Sequence, residues 1–346
     1  MGRSSLRYGV VLAPPEPARM AELARESEAA GFDLIGVADS QSLFREMYVS
    51  MTVAALNTSR ARLAPGVSNI LTRHLAVTAS AIATIDELSQ GRAVLALGTG
   101  DSALYNLGLR PVSLERLEHA IRVLRRLVGG EDAEHDGRRV HVRWAHRRIP
   151  VYIAAEGPKT LRLAGRLADG VIVGTGLTPE VVAASLQWLE EGAREAGRGL
   201  DALDVWFFAK TNVDVDSARA LNAIKMALAA SANHAFRFTL DHKLVPPHLL
   251  PAVERLKQEY VAREHEQIGD TRNAALTDEL GLTEYLAERF AIVGTPAQCA
   301  ARLRALASVG VRQLLVTAIT PDPLQFVRTW GRDVLPRVTG GGEVSA

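Results

Sequence analysis

The 346 residues carry 40 Lys and Arg against 39 Asp and Glu, a net charge of +1, which leaves no global field to draw in nucleic acid or an anionic membrane. A single cysteine, Cys299, excludes an intrachain disulfide and a thiolate metal cluster and fits a reducing interior. The opening MGRSSLRYGVVLAPP lacks the long apolar core and small-residue cleavage site of a signal peptide, and no window approaches the ~18 uncharged apolar residues of a membrane span. A soluble cytoplasmic protein is expected.

Short β-type runs then alternate with longer helical patterns. Residues 6–13 read as a first strand and 18–31 as a helix opened by proline and closed by glycine. Residues 33–39 give a second strand and 48–57 a helix. ARLAPGVSNI is a third strand with Pro65 and Gly66 inside it, 74–89 is helical, and RAVLALGTG is a fourth strand. Ser113 is placed to cap the helix LERLEHAIRVLRRLV, and Asp136-Gly137 between β-compatible flanks predicts a hairpin. IPVYIAA is a fifth strand, 158–168 a helix and GVIVGTG a sixth strand. Thr178-Pro179-Glu180 caps a helix toward Gly197, LDVWFFAKTNVD is a seventh strand, and a helix is expected over 216–230.

Residues 231–289 break the rhythm: polar, histidine-bearing and helical, with Pro246-Pro247 as punctuation. They read as an insertion serving as a lid or partner surface, with Phe236, Arg237 and His242 placed to decide the substrate. Thr295 and Gln298 are spaced for a capping box, RQLLVTA is the eighth strand, and a last helix runs through Phe326. Eight strand–helix pairs predict parallel strands, closed into a (β/α)8 barrel or wound into an open sheet. One domain over 1–338 is expected, with 339–346 as a disordered tail.

In a barrel the chemistry sits at the C-terminal ends of the strands. Ala155, Glu156, Gly157, Pro158 and Lys159 form one such junction. Proline fits the first helical turn, and the free N–H groups of that turn make an anion site. Thr175 and Gly176, at the neighbouring junction, flank the same pocket. Gly66, Val67, Ser68 and Asn69 suggest backbone shaped against a flat ligand. Gly98, Thr99 and Gly100 permit close approach by a planar ring. GTGDSA fits the degenerate dinucleotide pattern, but DSALYNLGLRP intervenes before the helix at Ser113, against a Rossmann phosphate turn. His135, His141 and His146 lack the period of a metal face, and no metal is expected.

APGVSNILTRHLAVTASAIATIDELSQGRAVLALGTGDSA, IPVYIAAEGPKTLRLAGRLADGVIVG and GTPAQCAARLRALASVGVRQLLV resemble the luciferase-like flavin oxidoreductases, most closely the branch related to methylenetetrahydromethanopterin reductase. The resemblance implies a (β/α)8 barrel that binds FMN or the deazaflavin coenzyme F420 at the strand ends, and a non-prolyl cis peptide at Gly66–Val67. It places Gly98 to Gly100 along the cofactor and Glu156 to Lys159 on its phosphate, helped by Thr175 and Gly176. It also implies a homodimer. The chain departs from the pattern at ADSQSLF, where relatives carry a histidine or aromatic pair, and at Leu75, where proline is common.

The expected activity is hydride transfer between F420 and a small organic substrate. Asp101 and Asp39 are the candidates for proton handling, although both also fit as capping or surface acids, and Tyr105 and Asn106 are candidate substrate contacts. An FMNH2/O2 monooxygenase would keep the same pocket and need a separate flavin or F420 reductase. A non-catalytic flavin-binding barrel is the alternative from another class.

Overall fold

A computed structural model describes residues 6–265 and 267–339. Apart from Thr339, the last residue of the helix Leu335–Thr339, the segment expected as a disordered tail lies outside the described residues.

Eight parallel strands form the frame, in chain order Arg7–Leu12, Leu34–Val37, Arg62–Pro65, Leu95–Leu97, Val151–Ala155, Gly170–Val173, Asp204–Val213 and Gln313–Thr317. Neighbours pair as third–second–first–eighth–seventh–sixth–fifth–fourth. The first and eighth strands are in register at Tyr8 and Leu314. Two single bridges, Leu63 with Ala93 and Ser68 with Leu97, bring the third strand against the fourth and close the circle. The expected barrel is therefore the observed one, and the open sheet is not.

The strands are apolar runs because each is covered on both faces. Their inward residues, among them Val11, Leu34, Ala96, Tyr152 and Trp206, form the barrel interior. Outward residues meet the helices in a larger core. The helix Leu114–Leu127 shows how the seam forms: Ser113 Oγ accepts from the Arg116 amide at 3.2 Å, and Leu117, Ile121 and Leu124 face inward. At ~1.5–3 kcal/mol per fully buried aliphatic side chain, such seams supply most of the drive to fold.

At the N-terminal end of the strands Asp204 closes the barrel. It takes Arg62 at 2.8 Å, Arg7 at 2.7 Å, Gln313 at 2.5 Å and the Tyr152 hydroxyl. Burial opposes its ionisation, but Arg62 and these donors prevail and hold its carboxyl at about 2. This end is a polar plug, and the opposite end is left to form a site.

Three local expectations need correction. The helix expected over 216–230 breaks into Ser217–Asn222 and Lys225–Phe236. The second of these continues through Ser231, because one side of MALAASANHAF packs into the insertion's core while the other, with Ala230, Ser231 and His234, covers the barrel mouth. Thr178 opens the helix Pro179–Glu195 without a side-chain cap. An unforeseen strand, Ala291–Gly294, returns from the insertion and pairs with Lys210–Val213 of the long seventh strand. The capping box of Thr295 and Gln298 and the hairpin Ala133–His135 with Arg138–Val140 form as expected.

Candidate active site

A cavity of about 810 Å³ opens at the C-terminal ends of the strands, roofed by the insertion. One wall is nearly bare backbone. The Gly66–Val67 peptide is cis, as the resemblance implied. A Cβ on Gly66 would sit 3.0 Å from Val11 Cγ1 and 3.3 Å from the Gly36 carbonyl carbon, a tight fit against the barrel interior. Ser68 and Asn69 follow, both buried; Asn69 Oδ1 accepts the Leu71 and Thr72 amides at 2.9 Å and fixes the turn. Gly98, Thr99 and Gly100 complete the wall. Gly100 has φ +100, and a Cβ there would lie 2.1 Å from Leu104 Cδ1, so both backbone and space require glycine. A one-turn helix, Ser102–Tyr105, starts directly after this turn, which the sequence reading did not expect.

At the cavity's other side Glu156, Gly157, Pro158 and Lys159 line the opening of the helix Pro158–Leu167, whose first turn has no side-chain cap. Gly157 is extended at φ −166, a conformation open to any residue. Its Cα lies close to the insertion: a Cβ would stand 3.1 Å from Lys243 Nζ, which would have to shift slightly. The other residues expected at this junction do not reach the cavity. Ala155 is buried in the outer core. Thr175 turns its hydroxyl to Ser185 at 2.7 Å and gives its carbonyl to Arg289 at 3.0 and 3.1 Å. Gly176 packs against Arg289, where a Cβ would lie 2.7 Å from Cγ. These two anchor the insertion behind the pocket, and Gly174 faces the cavity in their place.

The two candidate acids differ in setting. Asp39 is gripped by Arg73 through both oxygens, at 2.7 and 3.1 Å, and accepts the Ser68 hydroxyl at 2.6 Å; its side chain is only 3% exposed. Asp101 faces basic side chains from the insertion: Arg237 Nη1 at 3.0 Å, His234 Nε2 at 2.7 Å and His265 Nε2 at 3.6 Å. His234 Nδ1 meets Glu156 Oε1, and Lys243 Nζ donates to the Glu156 carbonyl.

Burial disfavours the charged forms of Asp101, Glu156, His234 and Lys243. Against it, Asp101 and Glu156 raise the His234 imidazole to about 9, and His234 in turn holds both carboxyls below their ordinary values. Lys243 stays dominated by burial and falls to about 8.

His234, Lys243 and His265 were not singled out by sequence reading. The usable signal was positional: whatever follows a barrel strand lies at the mouth. Of the insertion residues that were singled out, Arg237 and His242 line the cavity, whereas Phe236 is buried against Phe290 in the insertion's own core. Tyr105 lines a neighbouring cavity of about 570 Å³ with Leu109, Pro111 and Phe238, and Asn106 lines neither. The hairpin histidines part company: His135 faces His74 and His119, at ring separations of 5.2 and 5.8 Å, while His141 meets Asp132 at 2.9 Å.

A parallel (β/α)8 barrel with a backbone-walled cavity and clustered titratable groups at its mouth has the architecture of a barrel enzyme that holds a flat ligand. More particularly, residues 4–313 match the family model described as luciferase-like monooxygenase, and the chain belongs to that family. It is 31% identical over 360 residues to the 5,10-methylenetetrahydromethanopterin reductase of Methanopyrus kandleri, covering 96% of this chain and 99% of the relative. It is 29% identical to an F420-dependent glucose-6-phosphate dehydrogenase of Nakamurella multipartita, covering 93% of each. Among solved structures, the coenzyme F420 dependent tetrahydromethanopterin reductase from Methanopyrus kandleri superposes with a TM-score of 0.74 at 28% identity, over 96% of this chain and 99% of that one.

Proposed function

We propose that this chain is an oxidoreductase that uses coenzyme F420 to move a hydride to or from a small organic substrate. The observation that carries this reading is the glycine-bearing wall from Gly66 to Asn69 and Gly98 to Gly100, facing an uncapped helix opening with Lys243 beside it. A flat ring needs the first feature and a phosphate the second. The F420-dependent relatives support the choice of cofactor.

When bound, the deazaflavin supplies a two-electron hydride donor or acceptor. The chain's own residues do the rest. Gly66, Val67, Ser68 and Asn69 with Gly98, Thr99 and Gly100 bear on the ring. Glu156, Gly157, Pro158 and Lys159 take the phosphate end, where the first-turn amides of the helix Pro158–Leu167 point outward. The insertion roofs the pocket and excludes water. Asp101 handles the proton that accompanies the hydride, and Asp39 braces the second and third strand ends through Arg73.

The barrel and insertion act as one domain in a cytoplasmic setting. Two copies pair through the adjacent helices Met47–Leu56 and Leu75–Leu88, whose outer faces leave Val49, Leu56 and Val77 more than half exposed.

Gly157→Asp tests the phosphate end. It places a carboxylate beside Lys243, where the phosphate is to sit, and the expected result is at least a tenfold loss of F420 affinity in a fluorescence titration with the melting temperature kept. Wild-type affinity in this variant would remove the helix opening from the cofactor site.

A further inference from the structure

Asp101 is held as an acceptor. Arg237 donates to one of its oxygens, and His234, with His265 farther off, faces the other. An acid whose oxygens are both engaged by cations stays ionised, so a proton to be delivered must be stored on a neighbouring nitrogen. Arg237 cannot give one up. His265 stands at 3.6 Å, beyond hydrogen-bond range. His234 is in range at 2.7 Å, and its other nitrogen faces Glu156. With a carboxylate at each ring nitrogen, the doubly protonated imidazolium is the favoured state.

Resting on the F420 reading, we infer that His234 is the proton store of the site, a positioning residue that acts on substrate through Asp101. In the reducing direction the substrate carbon takes a hydride from the reduced deazaflavin, and its heteroatom takes a proton from Asp101. The C=X π bond breaks as the C–H and X–H bonds form. The proton that Asp101 delivers comes first from His234: Nε2–H passes its proton to Asp101 Oδ2, the same oxygen hands it to the heteroatom, and Asp101 returns to a carboxylate while His234 ends as neutral imidazole, still bonded to Glu156 through Nδ1. Oxidation of substrate runs the same steps backward.

Every charged group around the ring bears on this balance. Asp101 and Glu156 come from the fourth and fifth strand ends. Arg237 lies one turn along the same helical segment, Lys243 sits beside Glu156, and His265 lies beyond Asp101. The two carboxylates favour the cation and Arg237 opposes it. Burial also opposes it, yet the ring stays protonated to about 9.

The insertion supplies the proton store and the barrel supplies the acceptor. The acid is therefore complete only while the helix Lys225–Phe236 is seated on the mouth.

The test has two arms on the full-length protein. Imidazole nitrogen NMR of the unliganded protein, with His234 assigned by its loss in His234→Gln, needs no cofactor. It should show a ring protonated on both nitrogens at pH 7 and titrating near 9, and Glu156→Gln should lower that midpoint. Kinetics form the second arm: His234→Gln should keep F420 affinity within about twofold, lower kcat at least tenfold, and abolish the alkaline limb of the kcat profile near pH 9. Wild type that binds F420 but carries a neutral His234 at pH 7 would overturn the proposal alone. So would a variant with full kcat and an unchanged pH profile. Wild type that binds no F420 would overturn the functional reading, and the role of His234 with it, whatever the ring's charge.

Discussion

Asp39 and Asp101 look alike in the sequence, each an acid just past the end of an apolar strand, and the fold gives them different work. Asp39 is a brace, locked bidentate to Arg73, which also reaches Glu46 at 2.7 Å. Asp101 sits among cations that belong to a segment more than 130 residues away in sequence. General acid–base groups contribute about 10²–10⁴-fold to rate, so Asp101→Asn should lower kcat by that order while F420 binding stays within about twofold. Single-turnover kinetics with a separate binding titration would show it; a variant with wild-type kcat would take the proton role away from Asp101. The position of these residues was legible, because strand ends in a barrel define the mouth. Their roles were not, since Arg73, Arg237 and His234 reach them only through tertiary packing. Gly157 makes the same point: its close neighbour is Lys243 from across the pocket, and no local pattern reports that.

At the scale of elements, the insertion carries the clearest consequence. His234 gains two acidic partners when the helix Lys225–Phe236 docks, raising its value from 6.5 to about 9. That contribution is full below pH 6.5 and is lost as pH rises through 9, because the folded state then holds a proton the unfolded chain releases. Lys243 runs the other way, lowered by burial from 10.5 to about 8, so it restores stability only above pH 8. The docked insertion should therefore loosen between pH 6.5 and 8. Hydrogen exchange over residues 225–236, corrected for intrinsic rates, should quicken across that interval in the wild type and not in His234→Gln. Equal pH dependence in both would contradict the assignment. The insertion's helical character and its limits near Arg289 could be read from composition. Its internal breaks could not, because the helix Lys225–Phe236 is covered on one side by the insertion's core and on the other faces the barrel mouth, and Ala291–Gly294 becomes a strand only by borrowing the far half of the seventh strand. The caps at Ser113 and Thr295 were legible since the donors and acceptors lie within three residues of each other.

For the whole molecule, alternation of short apolar runs with amphipathic helices pointed to parallel strands, because parallel neighbours need covered faces and crossover helices, while the choice of a closed barrel over an open sheet came from the bridges Leu63–Ala93 and Ser68–Leu97. The polar plug around Asp204 was invisible, as its five residues come from five strands or strand ends. The bare outer faces of the helices Met47–Leu56 and Leu75–Leu88 bear on assembly. Leu56→Glu with Val77→Glu puts charge on the proposed pairing surface without touching the barrel interior, and sedimentation should shift from dimer to monomer at unchanged secondary structure. A wild type that sediments as a monomer at micromolar concentration would remove the dimer.

On the proposed function the glycine-walled cavity takes a deazaflavin and its phosphate. The direct measurement is a side-by-side anaerobic titration of the purified wild type with F420 and FMN, each oxidised and reduced. The account predicts saturable binding of F420 at one site per chain, at least tenfold tighter than FMN in either redox state. Preference for reduced FMN would contradict it and point to oxygen chemistry with a partner reductase, and binding of neither would leave the barrel without its proposed ligand.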